Sequence, residues 1–413
     1  MKLDRLHTRD AFVLVTLIWV GLSVLGALPF LLSGTLPNFA DALFESAAGW
    51  TTTGVSVIDD LDSAPKWLLF WRSFTQFLGG MGVLIIFMAI LPGVDGGRAV
   101  LLRTENSSAK VVPRLGETAK RLYAIYLVLT VAVISALVIA GLPIFDAVTL
   151  GFATAGTGGF VVTNGGIAGY GSAAVEMILA VFMLAFSLNF AVYYSIAARR
   201  RSKSTEAHVF LGVVFVSIVA VWISLTGRYG VWEALRHAVF GVASFSSTTL
   251  FEWDGWGTWP AFSRTLLMLL PIIGACSGST GGGLKMGRAV ILVKSMAREL
   301  RKIVRPREVA VVRSDGRAVE ESAIAAVFMY FASFIIITLV AALALSWDLG
   351  VAEGFSSALS CMTNAGLEGL NFHGLYSRFS PLSKVILTLC MLIGRLEIFP
   401  VLVLLYPATW RRK

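Results

Sequence analysis

Long apolar runs alternate with short polar stretches along this chain. Residues 12–32, 67–91, 122–140, 173–196, 209–225, 324–345 and 382–405 approach or exceed the roughly 20 apolar residues that carry a helix across a bilayer. Several of these windows must span the membrane. The first is longer than the roughly 7–15-residue apolar core of a signal peptide and lacks a small-residue cleavage site, so it reads as a retained helix.

Between the spans one pattern recurs four times: an apolar span, a short amphipathic stretch, a Thr/Gly-rich turn and a second span. Asp41-Ala42 leads to Thr51-Thr52-Thr53-Gly54, Asp146-Ala147 to Thr157-Gly158-Gly159, and Glu353-Gly354 to Asn364-Ala365-Gly366. In these three copies a glycine follows the acid by 13 residues, which suits a half-membrane helix plus a turn at roughly 1.5 Å per residue. The third copy, aligned from His237-Ala238, reaches Ser247-Thr248-Thr249-Leu250 and lacks both the acid and the glycine. The expected fold is all-α integral membrane, with four helix/pore-loop/helix repeats around a pseudo-fourfold central pore. Its repeats are 1–97, 98–203, 204–307 (holding a Gly-rich intramembrane loop) and 308–413.

Non-helical backbone at membrane depth is tolerated only where it is buried in protein or lines a watery path. Four such turns are therefore expected to converge on one axis, where glycine permits φ > 0 and inward carbonyls replace part of a cation's hydration shell. The negative ends of four half-helices favour a cation there. The ion-binding candidates are Thr53, Gly54, Gly158, Gly159, Thr249, Leu250, Ala365 and Gly366. Small residues that merely allow close helix packing are the competing explanation; three matching offsets weigh against it.

Composition agrees with residence in lipid: of 413 residues, 56% are hydrophobic and only 14% charged, against roughly 25% charged in soluble domains. The net charge of +9 forms no continuous basic domain, so nucleic acid is not an expected partner. It falls in five short segments: Lys2, Arg5 and Arg9; 98–121; 199–203; 298–307; and Arg411, Arg412 and Lys413. The positive-inside rule makes these cytoplasmic, both termini included. Asp59, Asp60, Asp62, Glu252, Asp254 and Glu368 fall on the opposite side. Cys276, Cys361 and Cys390 stand singly and four histidines are scattered, suggesting neither disulfide framework nor metal site. No paired carboxylates or Ser/His/Asp set supports an enzyme.

Two further stretches stand out. Gly274-Ala275-Cys276-Ser277-Gly278-Ser279-Thr280-Gly281-Gly282-Gly283-Leu284-Lys285 interrupts the second helix of the third repeat, and Gly394-Arg395-Leu396-Glu397-Ile398-Phe399 lies in the last span. The first lacks the spacing of a phosphate-binding loop. With Gly26-Ala27-Leu28-Pro29-Phe30, the turn 51–54 and residues 71–82, they make the chain resemble the Trk/Ktr/HKT superfamily, most closely the bacterial Trk/Ktr-type potassium uptake membrane subunit.

That resemblance implies gated uptake of K+ across the bacterial inner membrane, with K+ as transported ion and no organic cofactor. It implies a gate formed by Cys276, Ser277, Gly278, Ser279, Thr280, Gly281, Gly282, Gly283 and Lys285, and a barrier to ion passage at Arg395. The alternatives are a Gly-rich helix break without gating, and an arginine that fixes helix packing by bonding carbonyls. Glu397, two residues on, faces another side of the helix and is a poor partner for Arg395. The implied partners are a second copy of the chain, as a homodimer, and a cytoplasmic ring of nucleotide-binding regulatory subunits meeting 298–307 and 98–121; these basic runs also suit topology and anionic membrane lipids. Two departures stand out. Leu250 replaces the family's usual glycine, with strain of order 1–3 kcal/mol if φ > 0 is required, leaving a Na+-permeable, poorly selective or non-conducting paralogue as alternatives. The chain also starts about ten residues before the first span, where Trk-type members often carry two more helices.

Overall fold

The computed structural model describes residues 8–94, 112–197, 204–251, 255–307, 310–366 and 376–410. Most of the basic residues assigned to the loops 98–121 and 199–203 and to the termini lie outside them, as do Glu252, Asp254 and Glu368.

Four copies of one helical plan follow in order. The first holds α1 (Thr8–Leu32), the short α2 (Phe39–Trp50) and α3 (Lys66–Val94). The second holds α4 (Val112–Ile139), the short α5 (Ile144–Gly156), α6 (Ala173–Ser187) and α7 (Phe190–Ala197). The third holds α8 (Thr205–Leu225), α9 (Val231–Ser246), α10 (Ala261–Ile273) and α11 (Met286–Val304). The fourth holds α12 (Glu321–Leu345), α13 (Val351–Thr363), α14 (Pro381–Arg395) and α15 (Phe399–Leu405).

The spanning part of the first helix of each repeat is apolar on both sides, as expected where one side meets protein and the other meets lipid. Along α12, Val327, Tyr330, Phe334, Thr338 and Ala341 are buried, whereas Met329, Ile336, Leu339 and Leu343 are exposed. Buried hydroxyls turn back on their own helix, as in Thr16 to Phe12 O and Thr338 to Phe334 O, which satisfies them where water is absent. Among the short helices, α2 begins with a side-chain cap. Asn38 Oδ1 accepts from Ala40 N at 3.0 Å at the start of α2, and each short helix carries an acid as its third residue, beside the positive end of the helix dipole.

That acid corrects the reading of the third repeat. Its short helix starts at Val231 rather than near His237, and its acid is Glu233. With 16 residues instead of 12 or 13, α9 moves its acid outside the 13-residue offset. Two predicted spans are also not single helices. Residues 173–196 bend by 92° between α6 and α7, and 382–405 by 119° between α14 and α15. Both breaks lie inside apolar sequence, so hydropathy alone does not mark them.

The repeats close into a ring. The second helix of each packs on the short helix of the next: α3 on α5, α6 on α9, α10 on α13, and α14 on α2. Charges reinforce two of these contacts. Glu176 and Lys384, each the fourth residue of its helix, pair with Arg236 at 3.3 Å and Asp41 at 2.5 Å on the neighbouring short helix.

Candidate ion pathway

All four short helices end alike. The backbone N–H groups of Thr53, Gly158, Thr249 and Ala365 donate to carbonyls five residues back, Ala48, Ala153, Ser244 and Ser360, at 2.9, 2.9, 3.1 and 3.1 Å. This is the long-range bond of a Schellman-type helix end. It requires left-handed backbone, found at Thr52 (φ 53°), Thr157 (54°), Thr248 (61°) and Asn364 (49°). Two residues later φ is again positive, at Gly54 (83°), Gly159 (79°), Leu250 (43°) and Gly366 (53°). Such an alternation allows carbonyls that would point to opposite sides of an extended strand to face a common side.

The turns touch at three junctions, first to second, second to third and fourth to first. A Cβ on Gly54 would fall 1.9 Å from Gly158 O, one on Gly159 1.9 Å from Thr249 O, and one on Gly366 2.4 Å from Thr53 O. Glycine is needed at three places because the neighbouring turn's carbonyl occupies the side-chain position. Asn364 Nδ2 also spans the fourth and first turns, donating to Thr53 Oγ1 at 3.0 Å and Met391 O at 2.9 Å. Thus Thr53, Gly54, Gly158, Gly159, Thr249 and Gly366 meet directly; Leu250 and Ala365 hold the equivalent places. Leu250 adopts the left-handed backbone that its position demands, at a strain of order 1–3 kcal/mol.

Residues 274–285 lie against this ring and are held on several sides. Cys276 N donates to Ser187 O at 3.0 Å, Phe190 N to Gly278 O at 3.1 Å, and Thr280 Oγ1 to Phe186 O at 3.3 Å. The bend between α6 and α7 is thereby filled by the loop. Ser277 N and Gly287 N both donate to Glu206 Oε1, at 2.6 and 2.7 Å. Gly282 N donates to Thr248 Oγ1 at 2.7 Å and Gly283 N to Thr363 O at 2.8 Å. Lys285, with φ 73°, closes the loop by donating from Nζ to Gly281 O. Arg395 is buried and spans two carbonyls, Thr280 O of the loop at 2.9 Å and Gly79 O of α3 at 3.2 Å. Glu397 turns away from it and pairs with Arg288 on α11, whose guanidinium lies 4.1 Å from the Tyr330 ring centroid.

Residues 2–411 match the family described as TrkH, cation transport protein. The chain belongs to the TrkH family. The Trk system potassium uptake protein TrkH of Escherichia coli K12 is 37% identical over 421 residues, spanning 98% of this chain and 87% of its own. The protein of the same name from Halomonas elongata is 36% identical over 423 residues, with the same coverage. The crystal structure of the potassium transporter TrkH from Vibrio parahaemolyticus superposes with a TM-score of 0.91 at 34% identity, over 99% of this chain and 87% of that one.

Several residues that shape this TrkH-family site are not among those to which the sequence assigned a role. Arg72 and Glu45 form a buried ion pair behind the first turn, Nε to Oε1 at 2.7 Å. Arg72 also donates to Ser56 Oγ at 3.0 Å and Val161 O at 3.3 Å, and lies 4.1 Å from the Phe160 ring centroid, so one guanidinium braces the chain leaving two turns. Gln76 clamps the second turn, donating to Gly158 O at 2.8 Å and accepting from Phe160 N at 3.2 Å. A charged residue early in a span was the available signal for Arg72. Glu206 is indistinguishable in sequence from an ordinary first-turn acid. In the segment between α2 and α3, Asp60 Oδ1 accepts from Asn164 Nδ2 at 2.8 Å; this bond and that of Ser63 hold Asp60 below its ordinary pKa.

Proposed function

We propose that this chain conducts K+ passively into a bacterial cell across the inner membrane, with both termini cytoplasmic and no covalent chemistry. The observation that carries this reading is the fourfold recurrence of one left-handed turn geometry, with direct contact at three of the four junctions between turns. In this reading Thr53, Gly54, Gly158, Gly159, Thr249, Leu250, Ala365 and Gly366 form the filter. Their carbonyls replace water around the ion, and the four negative helix ends lower its energy there. Residues 276–283 and Lys285 form the gate beneath, and Arg395 supplies a positive barrier on the same path. The names of the relatives support K+ as the ion.

Leu250 supports a second reading of selectivity. Its side chain adds bulk and strain to one quarter of the ring, which favours looser discrimination between K+ and Na+. A second copy of the chain and a cytoplasmic nucleotide-binding ring are the proposed partners. The exposed apolar residues Val293, Leu300 and Val304 of α11 support such assembly.

The test is K+ and Na+ uptake by a K+-uptake-deficient bacterium carrying the chain. K+ uptake above the empty-vector strain is expected, and Leu250→Gly is expected to raise the K+/Na+ ratio. Absence of K+ uptake from both versions, with each present in the membrane, contradicts the proposal.

A further inference from the structure

We infer that Thr248 Oγ1 and Thr363 O form a cation site at the inner end of the filter which the loop's own amides occupy, so that the permeant ion and the gate compete for the same acceptors. This rests on the proposed conduction pathway and goes beyond it. Gly282 N–H donates to Thr248 Oγ1 at 2.7 Å and Gly283 N–H to Thr363 O at 2.8 Å. Two adjacent amide donors thus present partial positive charge to one hydroxyl and one carbonyl. Both acceptors belong to filter-bearing segments: Thr248 is the left-handed residue of the third turn, and Thr363 is the last residue of α13, just before the fourth.

The fit is close and needs glycine. A Cβ on Gly282 would fall 2.2 Å from Thr363 O, and one on Gly281 2.9 Å from Ser247 O, the residue equivalent to Thr363 in the third repeat. The loop therefore lies against the same carbonyl level in two of the four repeats. Hydroxyl and carbonyl oxygens at the negative ends of two helices are hard, uncharged ligands of the kind a desolvating monovalent cation takes. An amide N–H satisfies the same oxygens when no ion does, and buried acceptors must be satisfied by one or the other. A cation arriving from the filter displaces these two bonds and leaves the loop held by Glu206, Arg395 and the α6–α7 bend. Gate release is then linked to permeant-ion concentration by mass action.

The full chain in liposomes tests this through Cys276, which is buried in the loop. Alkylation at Cys276 is followed by peptide mass spectrometry while K+ replaces N-methylglucamine at constant ionic strength, and K+ flux is recorded in the same vesicles. The rate is expected to rise as one plus the ratio of K+ concentration to the site's Kd, roughly tenfold at about ten times Kd. Thr248→Val is expected to raise the rate at low K+ and flatten its rise, and Thr248→Ser to keep the rise. Flux with a Cys276 rate independent of K+ overturns the inference alone, as does an undiminished rise in Thr248→Val. Absence of flux overturns the conduction pathway and the inference with it.

Discussion

Gly159→Ala is expected to remove cation flux while leaving a folded protein in the membrane. The added Cβ would lie 1.9 Å from Thr249 O and 3.1 Å from Leu250 O, on a residue with φ 79°. Neither neighbour is the movable end of a side chain, so the second and third turns must separate. The backbone strain alone is of order 1–3 kcal/mol, and each 1.4 kcal/mol is about tenfold in rate. Uptake per molecule should therefore fall by about tenfold or more. Gly171→Ala is the matched control. Gly171 also has positive φ, 58°, but nothing lies within 4 Å of its Cβ position, so a similar intrinsic strain falls outside the ring and flux should be retained. Equal loss in both variants would mean that strain, not the ring contact, governs flux.

Glu45→Gln is expected to cause the largest loss of stability among single substitutions near the filter. Both members of the Arg72–Glu45 pair are buried, with side-chain exposures of 2% and 0%. Removing one charge strands the other, which typically costs about 3–5 kcal/mol, whereas replacing a pair with apolar residues of similar volume is often close to neutral. Glu45 Oε2 also accepts from Val57 N at 2.8 Å, so the chain leaving the first turn loosens with it. Thermal unfolding in detergent should show a large drop in midpoint for Glu45→Gln and a smaller one for the double variant Arg72→Met with Glu45→Leu. Equal drops would show that the charges themselves matter little and that shape alone braces the turns.

The fold was legible because lipid imposes strict rules on sequence. Long apolar runs located most of the first helices within a few residues, and the 13-residue spacing in repeats one, two and four located both the short helices and the turns. The third repeat escaped because α9 is longer, which moved Glu233 away from the place where Asp41, Asp146 and Glu353 stand relative to their turns. The breaks at 188–189 and 396–398 escaped for a different reason. Asn189 and Glu397 are single polar residues in windows that are otherwise as apolar as a continuous span, and the bends follow from what packs into them: the loop 274–285 in one case and the Arg288–Glu397 pair in the other. Glu397 and Ile398 adopt φ of 61° and 63°, a backbone that no local propensity favours for Ile.

Site residues divide along the same line. Glycines with positive φ were readable, because few other residues serve there. Polar partners drawn from distant segments were not. Glu206 reaches Ser277 across 71 positions and Gln76 reaches Gly158 across 82; a single sequence has no periodicity that joins such pairs. Arg395 makes the carbonyl bonds of the packing role considered for it, to Thr280 O and Gly79 O; its role as a barrier belongs to the proposed function.

The most direct measurement is K+ flux through the purified chain in liposomes under a valinomycin-free K+ gradient, compared with the Gly54→Ala protein. Gly54 stands where its Cβ would meet Gly158 O at 1.9 Å, so it reports on the ring without touching the loop or Arg395. K+ flux from the unmodified chain that falls by about tenfold or more in Gly54→Ala is the predicted result. Flux that is equal in the two proteins, or absent from the unmodified one, would contradict a pathway through the four turns.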